Sequence, residues 1–261
     1  MIMIDKERCI GCGLCVKDCV AVNLKLEDGK ASVQGGCLQC GHCVAICAQN
    51  AVSIPEFDMA DVQPYSINLN ADDLMSAIKS RRSIRDYKET KIEPEKLHRL
   101  IEAGRYTATA KNTQGCRFAL VQDELDTFKT MIWQQVEEAV QHQNYPEQVP
   151  AVMKDQYPRF LRMREHGTDF LFRNAPAVLF IGGNTPVDAA LAAQNIELMA
   201  IAQGLGALYN GFLNYTIHLI PELKQWLGLE DKASYVCMLL GYPAVKYTST
   251  APRKPADVVW K

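Results

Sequence analysis

Eight thiols fall in two runs near the N-terminus, and their spacing points to metal–sulfur chemistry. The first run places cysteines at Cys9, Cys12, Cys15 and Cys19, and the second repeats the same gaps at Cys37, Cys40, Cys43 and Cys47. In each, C-x2-C-x2-C-x3-C puts three thiols on one tight loop and a fourth just beyond it, the spacing used to ligate iron–sulfur clusters. Gly11, Gly13 and Gly41 lie between the thiols, where a loop folding closely around a bulky anion needs residues without a Cβ. A zinc ribbon would use paired C-x2-C knuckles rather than triplets with a fourth thiol. A disulfide framework suits a secreted miniprotein, yet the opening Met-Ile-Met-Ile meets Asp5 at once and does not read as a signal sequence. Because the full pattern occurs twice, the cluster reading is the stronger one.

Residues 1–56 resemble a bacterial two-cluster ferredoxin. In that family the fourth cysteine of each run ligates the other run's cluster. The resemblance therefore implies Cys9, Cys12, Cys15 and Cys47 around one 4Fe–4S cluster, and Cys37, Cys40, Cys43 and Cys19 around its partner. Val20 and Ala48 stand where relatives carry proline after the fourth cysteine. His42, inside the second run, is expected to tune a cluster rather than ligate iron, since the five histidines form no metal spacing.

A second set of residues with chemical potential lies further along. Arg81, Arg82 and Arg85 flank Ser83 and offer forked, permanently charged donors suited to a phosphate dianion. Residues 106–118 carry Thr109, Asn112 and Gln114, short polar side chains able to bond ring heteroatoms. The glycines of 203–212 do not make a dinucleotide fingerprint, because Tyr209 takes the third glycine's place and the stretch follows a helix rather than a strand. Gly241-Tyr-Pro243 precedes a proline-dotted tail carrying Arg253 and Lys254. Each segment alone has a plain reading as a solvated helix end, a polar loop or solvated terminal charge.

Taken in order over residues 72–261, the four segments resemble the FMN-dependent nitroreductase family. The resemblance implies that Arg81, Ser83 and Arg85, with Arg82, serve the phosphate, ribityl chain and pyrimidine edge of FMN. It implies flavin hydrogen bonds from Thr109, Asn112 and Gln114, and a phosphate contact from Arg253. Leu208, Tyr209, Asn210 and Gly211 match the stretch whose backbone amides approach flavin N5, where a donor stabilises the reduced ring. This chain departs from the family at Ala108 and Gly115, which replace prolines, at Asn210, where some relatives have Glu, and at Ala251, where some have a basic residue. The resemblance further implies an obligate homodimer with two FMN sites in the subunit interface and swapped C-terminal arms.

The expected fold class is α+β: a ferredoxin-like two-cluster domain over 1–56, a linker over 57–70, and a nitroreductase-like α+β domain over 71–261. Strands are predicted at Met1–Ile4 and Ala51–Ile54, with a hairpin turning at Asp28-Gly29. The second domain is predicted to carry helices over Asp72–Arg81, from Pro94, over Glu124–His142 and over Val187–Gln203. Strands are expected at Arg117–Gln122, Ala177–Ile181 and Val236–Leu240, with an extended tail from Ala244. Residues 143–174 are expected to be variable and substrate-facing, although core is the better reading for Tyr145, Tyr157, Phe160, Phe170 and Phe172.

The 261 residues suit two domains. Of ten cysteines only Cys116 and Cys237 lie outside the runs, and each reads as a small buried hydrophobe. A net charge of −2 with interspersed signs gives no nucleic-acid footprint, and no apolar stretch approaches membrane-span length. Free thiols and clusters point to a reducing cytoplasm. The expected function is an FMN-dependent oxidoreductase passing electrons from 4Fe–4S clusters, or from NAD(P)H, through FMN to a small conjugated acceptor such as a nitroaromatic or quinone. Reduced ferredoxin is an alternative donor, and no side-chain acid, base or nucleophile is required. The rival expectation is a non-catalytic electron carrier or redox sensor.

Overall fold

The structure, a computed structural model, describes residues 2–220, 222–229 and 233–261. It divides into two compact units, Met1–Leu69 with Thr109–Thr113, and Asn70–Ala108 with Gln114–Lys261.

In the first unit β1 (Met3–Ile4) pairs antiparallel with β4 (Val52–Ser53), and β2 (Leu24–Glu27) with β3 (Lys30–Val33). The predicted opening strand is thus confined to Met3–Ile4, and Met1 lies outside the described residues. The β2–β3 hairpin turns on Asp28 and Gly29, with φ of 50° and 73°, the paired positive φ that matches strand twist in a two-residue hairpin. Each cysteine run enters a one-turn helix, α1 (Leu14–Lys17) or α2 (His42–Ala45), from a left-handed glycine, Gly13 or Gly41. A small core of Ile2, Leu24, Ala31, Ala51, Val52 and Ile54 closes beneath the thiol loops.

The second unit is built on an antiparallel sheet in the order β5–β6–β8–β7. These strands are β5 (Arg117–Val121), β6 (Ala177–Gly183), β7 (Gly206–Tyr209) and β8 (Ala233–Gly241). Every residue of β6 is buried, which explains its unbroken apolar run. Alternate residues face opposite sides of a strand, so Val178, Phe180, Cys237 and Leu239 join one core. Ala177, Leu179, Ile181, Met238 and Leu240 join the other.

Helices α5 (Leu125–His142) and α6 (Ala151–Glu165) contribute to the first core through Phe128, Ile132, Val136, Tyr157 and Phe160. The second core is covered by α4 (Pro94–Arg105) and α7 (Pro186–Ala202), both opening on a first-turn proline, where the missing N–H has no helical partner to lose. Helix α6 was not anticipated, because Pro158 sits inside it and proline ordinarily signals a break. Tyr157, Phe160 and Phe172 of the 143–174 stretch are fully buried, and Tyr145 and Phe170 pack against them, in keeping with the core reading.

Helix α3 (Ala71–Ser80) is capped by Asn70, whose Oδ1 accepts from Asp72 N at 2.7 Å and Asp73 N at 3.3 Å. It buries none of its own residues, so the face carrying Leu74, Ala77 and Ile78 is not core within this chain. Cys237 is buried as expected, whereas Cys116 is only partly covered. Beyond β8 the tail from Ala244 has no regular structure, and Val259 and Trp260 are 78% and 90% exposed.

Candidate cofactor sites

Within the first unit the two cysteine runs come together. Cys19, Cys37, Cys40 and Cys43 line one cavity, together with Asn23, Leu24 and His42, so the fourth thiol of the first run joins the three of the second. Cys15 feels Cys47 and Cys9 as neighbouring charges, after the larger effect of burial, and all act to raise its pKa. That groups Cys47 with the first run. Burial and then Cys37 push the Cys43 thiol up to about 11. Crowded thiols of this kind need a cationic core to ionise together.

Backbone amides already point at the sulfurs. Asn23 N–H donates to Cys19 Sγ at 3.3 Å, Ala31 to Cys9 at 3.4 Å, Gln39 to Cys37 at 3.2 Å and Ala51 to Cys47 at 3.3 Å. At Cys9 such bonds from Ala31 and Gly11 hold the thiol below its ordinary pKa. Gly11 has φ +69°, and a Cβ there would lie 1.9 Å from the Gly29 carbonyl oxygen, so only glycine fits this close approach. Among the described residues no group of three His, Cys, Asp or Glu could hold a single metal ion. The donor set, all sulfur and fed by N–H groups, fits a sulfide-bridged iron core.

Within the second unit, Arg81, Arg82, Ser83, Arg85 and Arg253 line one open cavity of about 660 Å³ with Tyr247–Ala251. Two predicted segments far apart in sequence therefore meet. Helix α3 ends where Arg81 turns to an extended backbone, φ −51° and ψ 129°, and the segment then runs beside β7. Ser83 bridges Ala207, and Ile84 N donates to Ala207 O at 3.0 Å. Gly206 permits this contact, since a Cβ there would meet Ile84 Cγ1 at 2.4 Å.

Arg81 Nη1 donates to Glu197 Oε1 at 3.0 Å, with Glu197 2% exposed on α7. Tyr209 lies in the same cluster, where burial, and then the Glu197 charge, raise its pKa. Arg82 Nη1 bonds the carbonyls of Lys79 and Arg81, leaving a buried Nη2 with no partner. That orphaned donor in an arginine-lined cavity fits the phosphate of a flavin nucleotide. Glu197, Tyr247 and Thr248 were not picked from the sequence. Of these, Glu197 alone left a faint signal, as an acidic residue in a helix rich in alanine and other apolar residues.

Other candidates have different surroundings. Asn210 is buried and occupied: its Oδ1 accepts from Leu213 N at 3.0 Å, its Nδ2 donates to Leu171 O at 2.6 Å, and its own N–H donates to Cys237 O at 2.8 Å. Its side chain caps α8 (Gly211–Thr216). Leu208 and Tyr209 belong to β7. Gln114 stands in the second unit at φ 48°, a backbone conformation uncommon outside glycine. Thr109 and Asn112 group with the first unit, where Asn112 Nδ2 donates to Gln39 O at 2.9 Å.

Comparison with known proteins adds the following. Residues 78–242 match the family model described as Nitroreductase family, and residues 1–48 match that of a 4Fe-4S dicluster domain. The chain is similar to a nitroreductase with bound FMN from Bacteroides fragilis NCTC 9343, at 22% identity and TM-score 0.56, covering 72% of this chain and 98% of that one. It is also similar to a nitroreductase with bound FMN from Desulfitobacterium hafniense DCB-2, at 20% identity and TM-score 0.55, covering 74% and 100%. An FMN-dependent nitroreductase from Clostridium difficile R20291 shares 17% identity at TM-score 0.52, covering 72% and 100%. No curated protein matches the chain.

Proposed function

Because the chain belongs to the nitroreductase family and opens with a 4Fe-4S dicluster domain, we propose that it is an FMN-dependent oxidoreductase that takes in electrons through its N-terminal unit. When bound, two 4Fe–4S clusters store single electrons and FMN converts them to pairs for a small conjugated acceptor such as a nitroaromatic or quinone. The observation that carries this reading is the convergence of Arg81, Arg82, Ser83, Arg85 and Arg253 on one cavity, with Arg82 Nη2 left unpartnered.

The residues of this chain act by binding and positioning. Arg81, Arg82 and Arg253 neutralise the FMN phosphate, and the buried Glu197 carboxylate fixes the Arg81 guanidinium. Ser83 and Arg85 reach the ribityl chain and pyrimidine edge, and the β7–α8 turn at Leu208–Gly211 approaches the ring. Gln114, in the same unit as the arginine-lined cavity, supplies a further polar contact to the flavin. The eight cysteines hold the clusters as two crossed sets, and the N–H···S bonds to Cys9, Cys19, Cys37 and Cys47 favour the thiolate.

Reduced ferredoxin or NAD(P)H serves as donor, and the protein works as a cytoplasmic homodimer. The exposed apolar tail, with Val258, Val259 and Trp260 uncovered, supports an arm that packs on a second subunit. Among the described residues no helix is long and apolar enough to cross a membrane.

An anaerobic absorption spectrum, with iron, acid-labile sulfide and flavin counted per chain, tests the reading. About eight irons and one FMN per chain are expected; iron-free, flavin-free protein after reconstitution would overturn it. Rapid reoxidation of the reduced protein by small quinones supports the enzyme, whereas reoxidation by protein partners alone would favour an electron carrier.

A further inference from the structure

The two halves of the N-terminal unit place Asn23 and Ala51 at equivalent positions. Each donates its backbone N–H to the Sγ of the cysteine four residues earlier, Cys19 or Cys47, at 3.3 Å. Each follows a left-handed residue with φ 49°, Val22 or Asn50, whose own N–H bonds that cysteine's carbonyl at 3.0 Å. Both are buried, Asn23 at 2% and Ala51 at 3% exposure. The backbone is duplicated, but one half presents a methyl group and the other a carboxamide.

That carboxamide is unexplained by the protein around it. Asn23 lines the cavity enclosed by Cys19, Cys37, Cys40 and Cys43, and neither its Nδ2 nor its Oδ1 has a hydrogen-bond partner. Buried amides are ordinarily paired, and leaving one unpaired is costly. Gly35 packs against it so closely that a Cβ there would sit 3.4 Å from Asn23 Oδ1. A sulfur-rich anion in the cavity would give the amide N–H an acceptor.

We propose that Asn23 Nδ2 donates a hydrogen bond to a sulfur of the cluster held by Cys37, Cys40, Cys43 and Cys19, and thereby raises that cluster's reduction potential. The inference rests on the two-cluster reading above. Reduction by an external one-electron reductant takes the 4Fe–4S core from 2+ to 1+, adding one negative charge with no proton moved. A donor aimed at sulfur stabilises that added charge, and hydrogen bonds to the sulfurs are among the factors that set cluster potentials. Backbone N–H donors serve both halves, whereas a side-chain amide serves one.

Asn23→Ala installs in the first half what Ala51 already provides in the second, so the fold has a precedent for it. With iron and sulfide counted first, an EPR-monitored redox titration of the full chain should show one midpoint falling and the other unmoved. The expected change is about tenfold in the one-electron equilibrium constant, or about 59 mV. Full cluster content with both midpoints unchanged, or both shifted together, would overturn the proposal. Should Asn23→Ala lose a cluster, pulsed EPR on reduced wild-type protein labelled with 15N in the asparagine side chains decides instead. A nitrogen coupling to one cluster is expected, and none would refute the contact. Wild-type protein devoid of iron and sulfide would sink the cluster reading itself, a separate outcome.

Discussion

Arg81, at the end of an exposed helix, donates to the buried carboxylate of Glu197 on α7, 3.0 Å away. The pair joins two elements that are 116 positions apart and holds one guanidinium at the rim of the arginine-lined cavity. Glu197 is almost wholly enclosed and Arg81 partly so, a setting in which removing one partner costs more than the pair itself contributes.

Glu197→Gln keeps the shape and removes the charge. It should weaken FMN binding about tenfold, since a hydrogen bond to a charged group contributes roughly 1.5–3 kcal/mol. Fluorescence titration of the apoprotein with FMN and with riboflavin checks this; loss of affinity for FMN beyond that for riboflavin would locate the effect at the phosphate. Equal affinities in variant and wild type would mean that Arg81 needs no anchor.

The crossed thiols give a second expectation. Cys19→Ser should remove the cluster of the second run and Cys47→Ser that of the first, each lowering iron from about eight to about four per chain. Spectra of the two variants should then differ in which EPR signal survives. Loss of the same signal in both would contradict the grouping of Cys19 with Cys37, Cys40 and Cys43.

Gly206→Ala tests the seam between the arginine segment and the sheet. The added methyl would meet Ile84 Cγ1 at 2.4 Å and Pro243 Cγ at 3.0 Å. Overpacking of this kind costs about 1–3 kcal/mol, and displacement of Ile84 also moves Ser83 and Arg85. Urea unfolding should show the lower stability, and FMN titration a parallel loss of affinity.

His218 carries a pH dependence. Burial, and then Lys224, lower its pKa below the ordinary value of 6.5. Below that value the unfolded chain takes up a proton that the folded chain resists, so the stability contribution is intact above it and declines as pH falls towards the folded pKa. Thermal melts from pH 7.5 down to 5 should converge for His218→Gln and wild type at the acid end, the variant losing less.

Much of this was legible before any coordinate. Thiol spacing is a local property, so Cys9 to Cys47 announced two clusters through the gaps between them. The hairpin at Asp28-Gly29 was readable for the same reason: both residues take the positive φ that their side chains tolerate. The runs at Ala177–Ile181 and Pro94–Ile101 fixed a buried strand and an amphipathic helix, and a generic helix N-terminus is marked by its proline.

Other features needed the folded chain. Spacing alone does not bring Cys19 to Cys37 or Arg253 to Arg81; the family resemblance implied both groupings, and long-range packing makes the meetings. Helix α6 hid behind Pro158, whose local preference was overruled by Tyr157 and Phe160 in the core. Asn23 carries no signal in the sequence; only burial shows that its amide is left without a partner. Local pattern specified which groups could do chemistry; only tertiary packing, which alone decides burial and proximity, determined which of them meet.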